Sequence, residues 1–303
     1  MVKLIQRILE LKKREDVVLL AHYYQRLDIQ EIADFVGDSL RLSLDAMNVH
    51  AGYIVFCGVY FMAEQAAVLN PNVTVLIPDS NARCALANML TTEHIRTARK
   101  KYPSAPVVLY VNSRAEHKAL ADYIVTSANA VRVIEELDSD TIIFGPDSNL
   151  ADHVAEATGK NIIPIPRDGH CPVHILFSRE NVEYFRDKGY QIIVHPECIR
   201  CVRKMADFIG STKQMYDFVA RAGAGKIAIG TEIDFVNRVA RDFPEKEIVP
   251  LNREAICEDM KKITLDKVYL SLKKKQYVVT LPEKIRRKIR EAIWRTFELL
   301  GIT

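Results

Sequence analysis

The feature that most constrains this chain is a threefold internal repeat, because self-similarity at a fixed period dictates architecture before any single motif is read. Apolar, β-branched runs end in polar residues at "VVLLAHYY" (17–24), "PVVLYVNS" (106–113) and "YQIIVHPE" (190–197). Their polar ends His22, Tyr110 and His195 stand 88 and 85 residues apart. Each run is followed by a small-hydroxyl turn leading into a helical pattern, with Ser39, Ser127 and Ser211 spaced by 88 and 84. Strand-to-glycine junctions follow at Gly58, Gly145 and Gly230, spaced by 87 and 85. A last strand ending in proline then leads to Cys84, Cys171 and Cys257, separated by 87 and 86.

Each unit reads β-α-β-α-β, which predicts an α/β fold of three similar three-layer αβα units with parallel sheets. Near-continuous apolar strands fit sheets covered on both faces. The expected repeats span 1–90, 91–177 and 178–263, and a tail follows at 264–303. Ligands of such sheets bind beyond the carboxyl ends of the strands. That edge carries His22, Tyr110, His195 and the three cysteines, so the units are expected to face one another around a pseudo-threefold axis with a central metal-cluster site. In the tail, "KKKQY" reads as a solvated charge run and Pro282 suits the first turn of a last helix. Its stripe of Ile285, Ile289, Ile293 and Phe297 is expected to pack back on the core.

Composition excludes several classes. A net charge of +3 gives no basis for nucleic-acid or anionic-membrane binding. No apolar run reaches the roughly 18 residues of a membrane span. The start, "MVKLIQRILELKKRED", lacks an apolar h-region and does not read as a signal peptide. The expected location is the reducing cytoplasm, where six cysteines point to metal or redox chemistry rather than disulfides.

One cysteine per repeat at equivalent loops is a poor disulfide set and a good shared metal site. A closed structural zinc site takes four ligands, so three leave a position open, and Cys-only ligation suits zinc or an iron–sulfur cluster. Ser39, Ser127, and Ser211 with Thr212 read as helix N-caps, whose backbone N–H groups suit substrate carboxylates or phosphate. The pair Cys198 and Cys201 in "HPECIRC" has half-zinc-site spacing, yet it reads as a decoy made of a core thiol and a surface thiol. His50, His94, His117 and His153 read as surface residues. An iron–sulfur hydro-lyase acting on another polycarboxylate, and a zinc-stabilised binding module using Cys198 and Cys201, are the competing readings.

From about residue 20 to 262 the motifs resemble the quinolinate synthase family in order. They are "AHYYQ" (21–25), "ADFVGDSLRLS" (33–43), "FCGVYFMAE" (56–64), "VVLYVNS" (107–113), "TSANAV" (126–131), "FGPDSNLA" (144–151), "GHCPVH" (169–174), "HPEC" (195–198), "ADFIGSTKQM" (206–215), "IGTE" (229–232) and "CEDM" (257–260). The resemblance implies condensation of iminoaspartate with dihydroxyacetone phosphate to quinolinate, phosphate and water, in NAD biosynthesis. It also implies one 4Fe-4S cluster on Cys84, Cys171 and Cys257, with one open iron. It assigns catalysis to Glu197, His195, Tyr24, His22 and Tyr110. Substrate contacts fall to His22, Ser39, Tyr110, Asn112, Ser127, His174, His195, Glu197, Ser211 and Thr212. The implied partners are the two substrates and a transient hand-over from the enzyme making iminoaspartate. Two residues depart from the family pattern: Tyr23 stands in place of Asn, and Tyr60 in place of Asp. Arg83 and Asn88 give the loop around Cys84 a less usual form.

Overall fold

The structure is a computed structural model and describes residues 2–223 and 225–302. Its strands are β1 (Val17–His22), β2 (Phe35–Gly37), β3 (Tyr53–Cys57), β4 (Thr74–Leu76), β5 (Val107–Tyr110), β6 (Tyr123–Val125), β7 (Thr141–Gly145), β8 (Asn161–Pro164), β9 (Gln191–Val194), β10 (Phe208–Ile209), β11 (Lys226–Gly230) and β12 (Glu247–Pro250). They form three four-stranded sheets of identical order, β2-β1-β3-β4, β6-β5-β7-β8 and β10-β9-β11-β12. All pairs are parallel; His22 lies opposite Gly37 and Ala21 opposite Cys57. The fold is the α/β repeat expected from the sequence. The strands are apolar without alternation because helices cover both faces; Leu19, Leu20 and Ala21 of β1 are all buried.

In each sheet the leading strand has its successor on one side and the third strand on the other. That reversal is a topological switch point, and the crevice for a ligand opens beyond the carboxyl ends of the leading and third strands. His22, Tyr110 and His195 stand at or just beyond the leading ends, and Gly58, Gly145 and Gly230 at or just beyond the third ones.

A second device also recurs three times. Asp34, Asp122 and Asp207 precede the second strand of each sheet. Their carboxylates accept the amides of Leu19, Val107 and Ile192 on the leading strand at 2.8, 2.8 and 2.7 Å. Their own amides donate back to the carbonyls of the same three residues. A cation from the preceding helix closes each clamp: Lys12, Arg99 and Arg186 pair with the three aspartates at 2.8, 2.9 and 3.4 Å. The same cations also reach the carbonyls of Ile32, Leu120 and Met205. The clamp fixes the leading strand's depth against its neighbour, and so the position of the residue at its end.

The chain packs as two compact units. One holds the residues up to Cys84 together with Cys257–Arg290, and so the first sheet; the other holds Ala85–Ile256 and the residues from Glu291 on, with the second and third sheets. The tail differs from expectation in one respect. A helix runs over Leu265–Lys274, so Lys273 and Lys274 of the charge run are its last turn. The final helix is Glu283–Leu300, and the Pro282 carbonyl accepts from the Arg286 amide just outside it. Ile289, Ile293 and Phe297 are buried as expected, with Ile285 half-buried.

Candidate active site

Beyond β9 the chain turns so that the Glu197 amide donates to His195 Nδ1 at 3.3 Å. Beyond β1 the Tyr24 amide makes the same bond to His22 Nδ1 at 3.1 Å, so equivalent strand ends carry one turn. An imidazole nitrogen that accepts carries no proton, which puts the proton of both rings on Nε2. From there His195 donates to Ser127 Oγ at 3.2 Å, joining the third sheet's edge to the second sheet's hydroxyl turn. His22 also packs edge-on against the Tyr24 ring, with centroids 4.6 Å apart.

Around Glu197 the second and third sheets bring their polar residues together. His174 stacks on His195 with ring centroids 4.5 Å apart. His174 Nδ1 lies 2.6 Å from Glu197 Oε2, and its Nε2 lies 2.9 Å from Thr231 Oγ1. His195 Nδ1 is 3.7 Å from the same carboxylate oxygen. His174, His195, Glu197 and Tyr110 are all at most 5% exposed. Burial works to raise the Glu197 pKa. Electrostatic attraction from the His174 and His195 rings, with hydrogen bonds from His174 and Tyr110, outweighs it and holds the carboxyl well below the usual range.

The loop bearing Cys171 is pinned to the start of the helix Ser148–Thr158. Asp147 caps that helix by accepting from the Leu150 amide at 2.7 Å, and its other oxygen accepts from the Cys171 amide at 3.1 Å. Ser148 donates to the Gly169 carbonyl from both its amide and its hydroxyl. A Cβ on Gly169 would stand 1.9 Å from the Pro146 carbonyl oxygen, so only glycine lets the loop approach this closely. Burial first, then the Glu197 charge, push the Asp147 carboxyl well above its ordinary value, against the backbone bonds it accepts.

Some expectations fail locally. Ser39 is not an N-cap: Asp38 caps the helix Ser39–Met47 by accepting from the Arg41 amide. Ser127 is not one either, because Asn129 holds that place before the helix Ala130–Glu136. Ser211 is a cap, in a reciprocal box with Gln214, and Thr212 opens the helix. Asp38 makes the capping bond in the first case; Asn129 makes none and accepts instead from the Thr126 amide at 2.7 Å, and the Ser127 hydroxyl meets His195. His117 is buried rather than on the surface, beside Glu116. Cys198 is sealed in the core and Cys201 is exposed, as read from "HPECIRC".

The sequence profile of the family described as Quinolinate synthetase A protein matches residues 6–298. The quinolinate synthase of Thermotoga maritima is 48% identical over 300 residues, covering 98% of this chain and 100% of its own length. That of Pyrococcus horikoshii is 50% identical over 299 residues, with 98% and 99% covered. That of Pyrococcus furiosus is 51% identical over 297 residues, with 97% of each covered. The chain belongs to the quinolinate synthase family.

Two of the positions read as unusual in the sequence meet: Arg83 lies over the Tyr60 ring, 5.8 Å from its centroid, a cation–π pair beside Cys84. Tyr60 corresponds in the period to Asp147 and Glu232, the two acids that follow the third strands of the other sheets. Glu232 is buried and caps its helix by accepting from the Asp234 amide at 2.9 Å. Asp147, Thr231 and Glu232 were not named as site residues from the sequence, although the spacing from Gly145 and Gly230 marks them. Arg203 was also missed. It is a buried arginine that donates to the Cys198 carbonyl at 2.6 Å and pairs with Asp152 and Glu156, bracing the turn that carries Glu197. Among the described residues no helix is long and apolar enough to cross a membrane.

Proposed function

We propose that this chain is a quinolinate synthase, condensing iminoaspartate with dihydroxyacetone phosphate to give quinolinate, phosphate and two waters in de novo NAD synthesis. What carries the reading is end-to-end likeness, at about half identity, to proteins bearing that name. The buried Glu197 group supports it with side chains suited to the proton transfers of condensation and dehydration.

The cysteines fit a thiolate-held group at three positions. Cys57 and Cys198 lie in the core, where burial pushes both thiols up, and Cys201 is exposed on the short helix Arg200–Arg203. Cys84, Cys171 and Cys257 are half-buried, unbridged, and close the loop after the fourth strand of successive sheets. These three would hold one 4Fe-4S cluster. When bound, it supplies an iron with an open position, a Lewis acid for a substrate oxygen or nitrogen.

The chain's own residues bind and move protons. Glu197, kept ionised, is the base, and His174 and Tyr110 orient its carboxylate. His195 holds its Nε2 proton towards Ser127, where a carboxylate or phosphate oxygen of the substrate accepts it. Asn112 Oδ1 is buried with no hydrogen-bond partner among the described residues, as suits a group completed by a ligand donor. Ser211, the repeat-equivalent of Ser127, is committed to its helix as a cap, and the adjacent Thr212 is left to substrate. His22, Tyr24 and Ser39, in the unit of the first sheet, are assigned to substrate by the family resemblance, with Tyr24 and His22 as further proton carriers.

The ligand choice is tested by anaerobic purification of Cys171→Ala and Cys201→Ala. The first loses iron and inorganic sulfide, and the second keeps both. Loss in the second with retention in the first overturns the assignment.

A further inference from the structure

Cys171, His174 and Glu197 each bring one donor atom to a common place, all within 4.8 Å of one another. We infer that these three side chains form a second, mononuclear site for a divalent transition metal of the zinc class, sharing Cys171 with the cluster and excluding it. A thiolate, an imidazole and a carboxylate are the donors such ions take, and three protein ligands with one position open is the pattern of a reactive rather than a closed zinc site.

Two further observations point into this place. Glu197 is 2% exposed, and its Oε1 has no hydrogen-bond partner among the described residues. His174 Nδ1 and Glu197 Oε2 stand 2.6 Å apart, a hydrogen-bond spacing, and a metal ion replaces the shared proton once the two donors separate to suit ligand bonds of about 2.0–2.2 Å. The far side of the His174 ring is already fixed by Thr231 at 2.9 Å, and that hydroxyl can accept from Nε2–H as readily as donate to it. An outer partner of this kind sets ring orientation at metal sites.

All three ligands lie within the unit of the second and third sheets, so the site needs neither Cys84 nor Cys257. It goes beyond the proposed synthase activity and does not depend on it. Its consequence is antagonism: an ion of this class on Cys171 withholds one thiolate from a cluster.

The test is titration of the full-length, cluster-free chain with Co2+, read by thiolate-to-cobalt charge-transfer absorption. Wild type and a Cys84→Ser, Cys257→Ser double variant bind a single ion per chain with matching spectra. Cys171→Ser abolishes the band, and His174→Ala and Glu197→Gln weaken binding about tenfold or more. Thr231→Val, which leaves all three ligands in place, weakens it by a smaller factor and covers the case in which His174→Ala fails to fold. Binding that is lost in the double variant yet unchanged in Glu197→Gln and Thr231→Val overturns the proposal, because the ion then sits on three cysteines. Absence of the band in wild type overturns it as well.

Discussion

Asp147 Oδ2 accepts the Cys171 amide at 3.1 Å, so the end of β7 and the loop after β8 are held by one buried carboxylate that also caps a helix. Replacing Asp147 by Ala removes the cap and strands the Cys171 amide. A loss of about 2 kcal/mol is expected from the two effects together. Thermal unfolding of the cluster-free chain measures it. Asp147→Asn, which keeps an acceptor for Leu150, costs less. Iron and sulfide bound after reconstitution fall further in the alanine variant than in the asparagine one.

Glu197→Gln removes the proposed base with little change of shape. Activity is expected to fall by about 10²–10⁴-fold, while iron and sulfide content stay at the wild-type level. A variant of near-wild-type turnover contradicts the role.

The same residue has a pH signature. Its folded pKa, about 2, lies below the unfolded value of 4.5, so its ionisation contributes stability that is full above 4.5 and is lost as pH falls from there through the folded value. The stability difference between wild type and Glu197→Gln therefore shifts in favour of the variant on acidification. An Asp147→Asn background removes the neighbouring acid, whose pKa moves the opposite way. A pH-independent difference contradicts the lowered pKa.

The aspartate clamps predict three matched variants. Asp34→Ala, Asp122→Ala and Asp207→Ala each leave an amide of the leading strand unpaired, at Leu19, Val107 or Ile192, all fully buried. Each is expected to cost about 1–3 kcal/mol. Arg99 and Arg186 contribute little, being 40% and 45% exposed in their pairs, and Lys12, 15% exposed, contributes more than either. Denaturant unfolding of the three, with Lys12→Met, Arg99→Met and Arg186→Met as milder counterparts, measures the order. Cation variants costing more than aspartate variants contradict this account.

What was legible in the sequence follows the same physics. The strands could be read because burial on both faces makes them continuous apolar runs, and the three cysteines because the period selects them. Asp34, Asp122 and Asp207 were equally periodic but carry no chemistry that draws attention. Asp147 and Glu232 hid behind their helix-capping role. Ser39 fails as a cap because Asp38, one residue earlier, accepts the helix amide, and Ser127 fails because its helix begins only after Asn129; both depend on turn geometry a sequence does not display. That His174 and Glu197 meet follows from packing of the second sheet against the third, a contact between residues 23 positions apart that no local pattern encodes.

The most direct test of the central claim is anaerobic incubation of the reconstituted full-length chain with iminoaspartate and dihydroxyacetone phosphate, measuring quinolinate and inorganic phosphate together. Both are expected to form in equal amounts, and both to form about 10²–10⁴-fold more slowly with Glu197→Gln at matched iron content. Iron–sulfur protein that releases no quinolinate yet dehydrates a citrate-like acid would contradict it.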